Sequence, residues 1–213
     1  ATASFCVQDA CASTPPERTF CTRPPMGGCV TLIDLFENCY AANGRHSFNG
    51  NGTTTDSGIV FLNCFSDNGS QAIEGAHRQW GQAFLFDNVV VGKNRGSETF
   101  ALMCSGNWGS GHGWAAVNSV IWNCKSSAAH IEMVCQKPPI GQNYIIGGVG
   151  KHVHQDASGT FDFAGTEPGW MEGENRAGLN PESLYLAQLA ERLAAPSEPP
   201  ASSPPPPLDS GLE

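Results

Sequence analysis

Three residue types in this chain can act on a polar ligand, and they recur at fixed spacing. His77 and His112 each lie eleven residues before an asparagine, Asn88 and Asn123. Arg78 and Trp80 follow the first histidine and Trp114 the second, within Gly75-Ala76-His77-Arg78-Gln79-Trp80 and Gly111-His112-Gly113-Trp114. Arg45 and Arg95 share another phase, each seven residues after Asn38 or Asn88. An imidazole takes or gives a proton near neutral pH. A guanidinium pairs with a carboxylate or sulfate, and an indole covers the apolar face of a sugar ring. A groove lined by all three suits a neutral or anionic glycan. The blander alternative keeps the tryptophans in a core at strand ends and has the histidines bond only turn carbonyls.

Recurrence of this kind demands a periodic scaffold, and the intervening sequence supplies one. Val30 to Cys39 is a β-prone run ending in Asn-Cys; Gly58 to Cys64 repeats it, and Ala83 to Val89 repeats it again. The closing asparagines Asn38, Asn63 and Asn88 are 25 residues apart, and Asn123 follows after 35, one period plus about ten residues. A last apolar run, Gln142 to Gly148, falls about 23 residues further on. Self-similarity at this period signals stacked repeats, each unable to bury its own face. Strands of about five residues broken by Gly, Asn and Asp, with no 3.6-residue period between 31 and 150, exclude helical and leucine-rich repeats. The expected fold is therefore all-β: a right-handed parallel β-helix, a solenoid in which equivalent residues stack about 4.8 Å apart. Asn38, Asn63, Asn88 and Asn123 then form a ladder at a turn, and Cys39, Cys64 and Cys124 follow in the same register. Those cysteines read as a buried, reduced column, with a bridge between Cys39 and Cys64 as the alternative.

Composition bounds the rest. Of 213 residues only 15% are charged, while 25 are Gly and 15 Pro, a balance favouring strands and turns. The net charge of −9 is concentrated at one end, because residues 166–213 hold eight acidic and two basic side chains. The nearly neutral body has no basic run, which excludes nucleic acid as a partner. No run approaches the roughly 18 apolar residues needed to span a bilayer, so membrane insertion is not expected. Nine cysteines without Cys-x-x-Cys spacing, together with the sequons Asn51-Gly52-Thr53 and Asn68-Gly69-Ser70, point to an extracellular, disulfide-permitting, glycoprotein setting.

Along the chain, residues 1–30 form a Cys-rich segment, either a disulfide-stapled flap or an incomplete first coil, and 31–150 hold the coils. Residues 151–195 make a closing loop and a helix, and 196–213 a Pro-rich tail without core-forming capacity. In the closing loop His152-Val153-His154 puts two imidazoles on one face, yet only Asp156 is at hand as a third ligand, so no metal is assigned. Asn180-Pro181 is expected to open the helix as N-cap and first residue. Leu184, Leu189 and Leu193 give it an apolar stripe with which to cap the end of the stack.

The runs Gly44-Arg45-His46-Ser47-Phe48, His77-Arg78-Gln79-Trp80-Gly81, Asn94-Arg95-Gly96, Gly109 to Trp114, Trp122-Asn123-Cys124 and Pro138 to Tyr144 resemble the C-terminal coils of pectate-lyase-like β-helix proteins. Ser183 to Leu189 resembles their terminal helix. The resemblance covers about residues 31–194 and implies further coils upstream of Ala1. It also implies a polysaccharide as partner, with His112, His77 and Arg78 as catalytic candidates. Trp80, Trp114, Arg45, His46, Arg95 and Asn94 become candidates for substrate binding. That superfamily cuts acidic polysaccharides by β-elimination or by hydrolysis. Hydrolysis needs two carboxylates flanking the scissile bond, and between 44 and 124 the acids are Asp56, Asp67, Glu74, Asp87 and Glu98, none paired. Lyase chemistry fits better, with a histidine abstracting the proton α to a uronate carboxylate and Arg78 neutralising that carboxylate. No cofactor is expected, since no cluster of oxygen ligands suggests Ca²⁺. The competing class is a non-catalytic glycan-binding or structural module of a cell-wall or surface glycoprotein.

Overall fold

The computed structural model describes residues 34–44, 46–50, 57–69, 73–92, 99–109, 111–126, 132–153, 167–176 and 178–194. The chain runs in circuits. The first holds β1 (Leu35–Glu37), β2 (Tyr40–Ala42) and β3 (Asn49–Gly50), and the second β4 (Val60–Leu62), β5 (Phe65–Asp67) and β6 (Ile73–Ala76). The third opens with β7 (Gly81–Gln82) and continues through β8 (Leu85–Asp87), β9 (Val90–Val91) and β10 (Thr99–Leu102). The fourth holds β11 (Ala116–Val117), β12 (Val120–Trp122), β13 (Lys125–Ser126) and β14 (Glu132–Lys137). After them come β15 (Tyr144–Ile146), β16 (Lys151–Val153), β17 (Glu167–Pro168), β18 (Trp170–Glu172) and α1 (Leu184–Ala194).

Each strand pairs with its counterpart one circuit away. One sheet runs β1-β4-β8-β12-β15-β18, a second β2-β5-β9-β13, and a third β3-β6-β10-β14-β16, all parallel; β7 and β11 form a short ribbon, and β17 adds antiparallel to β14. The registers reproduce the sequence spacing. Leu35 pairs with Val60 and Val60 with Leu85, 25 residues on; Leu85 pairs with Val120 after 35, and Val120 with Tyr144 after 24.

That register stacks like on like. Phe36, Phe61 and Phe86 form a ring column with centroids 5.0 and 5.1 Å apart, continued by Ile121, Ile145 and Met171. Phe86, Ile121 and Ile145 are fully buried, and each such side chain contributes roughly 1.5–3 kcal/mol of apolar burial. The turn after these strands reverses through the left-handed region. Asn38, Asn63, Asn88 and Asn123 have φ of 55°, 53°, 56° and 50°, and Gly147 and Gly173 continue the column at 65° and 66°. Asparagine tolerates this conformation better than most residues with a Cβ. At Gly147 a Cβ would run into the Leu179 side chain, which would have to shift to admit it. The next residues, Cys39, Cys64 and Cys124, lie in the same register, with Phe65 N donating to Cys39 O and Val90 N to Cys64 O.

The buried, reduced reading of the cysteine column holds against the bridge alternative, and two expectations about the helix need correction. Cys39, Cys64, Cys104, Cys124 and Cys135 are buried free thiols, so the described residues contain no disulfide; Cys6, Cys11, Cys21 and Cys29 lie outside them. In place of bridges, Cys64 Sγ approaches Phe36 O at 3.5 Å and Cys124 Sγ approaches Phe86 O at 3.3 Å. The helix begins at Leu184, not at Pro181: Asn180-Pro181 is a cis peptide, and Ser183 is the cap, its Oγ accepting from Leu186 N at 3.1 Å. Nor does α1 seat a buried stripe on the end of the stack. None of its residues is buried, Leu193 is largely exposed, and its first turn sits on the flank of the first sheet at β8. The Pro-rich tail lies outside the described residues.

Candidate functional site

The two histidines aligned by sequence do meet. His77 leaves β6 and His112 precedes β11, and their rings stand edge to face with centroids 4.8 Å apart. His46 joins from the first circuit, its ring 4.7 Å from that of His77. The result is a run of three imidazoles across three circuits. Backbone bonds hold it: His77 N donates to Gly50 O (2.8 Å), Gln79 N to His112 O (3.1 Å), Trp80 N to Trp114 O (2.8 Å) and Gly81 N to Ala115 O (2.8 Å). His46 is buried, while His77, Arg78, Trp80, His112 and Trp114 are half-buried; Nδ1 of His112 is shut off from solvent. The corner thus brings three imidazoles into contact, with half-buried Arg78, Trp80 and Trp114 adjoining them along the chain. Arg45, Asn94 and Arg95, the other candidates, lie outside the described residues, as does His154.

Gln79 and Trp80 both adopt left-handed φ, 55° and 61°. For a bulky residue this is an outlier costing of order 1–3 kcal/mol. It is held by the two bonds to His112 O and Trp114 O, which fix where the Trp80 side chain leaves the backbone.

The ten extra residues of the fourth circuit build the far wall. Cys104 and Trp114 bridge antiparallel, Ser105 N donates to Gly113 O (2.7 Å) and Gly113 N to Gly106 O (2.8 Å), so the segment closes on itself as a small loop. Trp108 packs against buried Ala101, Met103 and Val134. Gly109, at φ 55°, lies flat on His112: a Cβ there would be 2.4 Å from His112 Cε1. Spacing revealed the insertion but not these partners, because neither Trp108 nor Gly109 shares a phase with anything in the other circuits.

Two further residues that the spacing did not single out anchor the feet of the loop. Asn143 is fully buried; its Nδ2 donates to Ala116 O (2.9 Å) and Gln136 O (3.0 Å), and its Oδ1 accepts from Ser119 N (3.1 Å). Gln136 Oε1 accepts from Cys104 N at 2.8 Å. A buried network in which these groups are satisfied is rigid, so the fourth-circuit wall is pre-formed by side chains from β14 and the turn before β15.

The opposite flank is polar in a different way. Asp87 is completely buried, and its Oδ2 accepts from Ser183 Oγ and Tyr185 N, both at 2.8 Å. Burial pushes its carboxyl above the ordinary range, and the bonds from Tyr185, Ser183 and Leu184 only partly offset this. Asn123 Nδ2 donates to Asn88 Oδ1 (2.6 Å) and to Glu182 O (3.2 Å), Asn88 Nδ2 donates to the same carbonyl (3.2 Å), and Trp122 Nε1 donates to Pro181 O (3.2 Å). A cavity of about 410 Å³ opens beside this seam, lined by Asn63, Asn88, Pro181, Leu186 and Ala187 among others, and no corner residue borders it. The Cys135 thiol is pushed up to about 12 by burial, which makes it inert as a nucleophile. Among the described residues no three His, Cys, Asp or Glu side chains converge to share a metal ion, and no helix is long and apolar enough to cross a membrane.

Compared with protein-family models, curated proteins and solved structures, the chain finds no significant match. The site has to be read from its own chemistry.

Proposed function

We propose that this chain is part of an extracellular right-handed parallel β-helix of the pectate-lyase-like kind, and that its histidine corner engages an acidic polysaccharide. The parallel sheets in constant register support the architecture, and the strong preference of parallel crossovers for one hand supports right-handedness. The single observation that carries the function is the convergence of His46, His77 and His112 in one run of rings, with Arg78, Trp80 and Trp114 next to them in the chain. Secretion draws its support from the sequons and from the four cysteines before Val30. In the sequon at Asn68, the side-chain amide donates to Asn43 Oδ1 at 2.6 Å.

The reaction that suits these groups is β-elimination. His112 or His77 takes the proton α to a uronate carboxylate while Arg78 balances the carboxylate's growing negative charge. The C–H electron pair becomes a ring double bond. The glycosidic bond on the neighbouring carbon breaks, its electron pair leaves with the oxygen, and that oxygen is protonated. Trp80 and Trp114 hold the adjoining sugars by their apolar faces.

A second reading, a non-catalytic glycan-binding or structural module, is favoured by the burial of His46 and of His112 Nδ1. One experiment separates the two. The chain is incubated with pectate, alginate and glycosaminoglycans, and the ultraviolet absorbance of unsaturated uronate is followed. Product that disappears in His112→Ala supports the lyase; binding to an acidic glycan without product supports the module. Neither product nor binding on any acidic glycan sinks both.

A further inference from the structure

The outer face of the first sheet carries a feature that the histidine corner does not use. The register places Leu35, Val60, Leu85, Val120, Tyr144 and Trp170 directly beside one another at the entry ends of six strands. Their side chains alternate away from the core column Phe36, Phe61, Phe86, Ile121, Ile145 and Met171, so they point outward. At about 4.8 Å per strand the row is some 24 Å long. It is half-buried through its middle and opens at both ends, at Leu35 (37% exposed) and at the two aromatics, Tyr144 (38%) and Trp170 (52%). Ile140, on the turn leading into β15, is more exposed still. A straight apolar row ending in two accessible aromatics in register is the kind of exposed patch that marks a binding surface.

Charge decides what it binds. The eighteen residues of these six strands include three carboxylates, Glu37, Asp87 and Glu172, and no Lys, Arg or His. An anionic glycan finds no cation on these strands and two exposed carboxylates to repel it, Glu37 at one end and, at the other, Glu172, whose Oε2 accepts from Trp170 Nε1 at 3.2 Å. That same carboxylate, already oriented by the indole, accepts a hydroxyl well. Flat aromatic faces beside a fixed acceptor and without cations match an uncharged sugar ring, apolar on its faces and hydroxylated at its rim.

We infer that the row ending in Tyr144 and Trp170 is a track for a neutral polysaccharide chain, lying across the strands and separate from the histidine corner in both place and charge preference. The inference stands whether or not the corner binds acidic glycans.

The test is affinity electrophoresis and pull-down of the chain with cellulose, xylan, β-1,3-glucan and mannan, alongside sedimentation of the free chain. Retention by at least one neutral polymer is expected, insensitive to salt, and weakened about tenfold or more in Trp170→Ala and Tyr144→Ala, as for the loss of a stacked aromatic anchor. Both positions are exposed, so circular dichroism should show unchanged folding. Binding to none of the neutral polymers, or binding untouched by both variants, overturns the track. So does a chain that sediments as a dimer and falls to monomer in Trp170→Ala, since the row is then covered by a second copy. Acidic glycans bound without neutral ones sink this inference alone; neutral ones bound without acidic ones sink the corner reading alone.

Discussion

The histidine corner stands before β7 and β11 and the asparagine turn after β8 and β12, one bend further along the chain, and they solve the same stacking problem differently. At the asparagine turn a side-chain ladder is added to the backbone one: Asn63 N donates to Asp87 O and Asn88 N to Trp122 O, while the Asn123 amide bonds Asn88 and both amides bond the Glu182 carbonyl under the first turn of α1. At the corner the backbone bonds, Gln79 N to His112 O and Trp80 N to Trp114 O, accompany a run of stacked imidazoles in place of bonded amides. The turn therefore cannot accept an insertion without losing its bonds, whereas the corner takes ten extra residues and closes them into a loop. Variable chemistry collects where the ladder does not depend on side-chain identity.

The comparison can be broken or sharpened by substitution, beginning where the effect is largest. Phe86→Ala removes the middle of the shared core column beneath both regions and should cost about 3–5 kcal/mol by urea unfolding, with loss of strand signal. A cost below about 1 kcal/mol would mean that the column does not hold the strands. Asp87→Ala strips the acceptor from Ser183 and from the N-terminus of α1, and should cost roughly 2 kcal/mol and release the helix, seen as faster proteolysis beyond residue 180. Asp87→Asn should cost less.

The pH dependence of this seam has a definite sign. Because the folded Asp87 carboxyl is raised above its ordinary 3.8, the native state holds the extra proton between the unfolded and folded values. Its contribution to stability therefore falls as pH rises through that window. Asp87→Asn should flatten this part of the profile. A wild-type slope of the opposite sign would show that the helix bonds outweigh burial.

Smaller again, Asn88→Ala should cost about 1–2 kcal/mol, combining a lost ladder bond with a left-handed alanine. Asn88→Gly should recover the backbone part and only that. Smallest in stability is His112→Ala, expected to shift unfolding by less than about 1 kcal/mol while acting on acidic-glycan binding or turnover. A large stability loss there would reclassify the histidine run as structural.

How far the sequence carried can be followed residue by residue. The 25-residue spacing of Asn38, Asn63 and Asn88 gave parallel stacking, the core column and the meeting of His77 with His112, since a fixed period leaves no freedom in which residues become neighbours. It did not give His46 as the third ring, because His46 lies eight residues after Asn38 and His77 fourteen after Asn63, so the two share no phase. It did not give Asn143 or Gln136 as anchors, because their partners are backbone groups of another circuit, invisible to side-chain pattern. The helix was legible, but its start and its seat were not: Asn180-Pro181 looks like a cap locally, while the deciding partner, Asp87, is 96 residues from Ser183.

By itself, then, the sequence determined what repeats. Apolar alternation, Asn at the turns and the constancy of the period dictate strands, sheets and register, because these depend on local preference and translation along one axis. Only the tertiary structure decided what does not repeat: which imidazoles touch, how the inserted loop folds over His112, and where α1 is fixed. Those outcomes turn on single contacts between segments of unequal phase, a buried carboxylate against a helix end and a glycine flat against an imidazole, and no period encodes them.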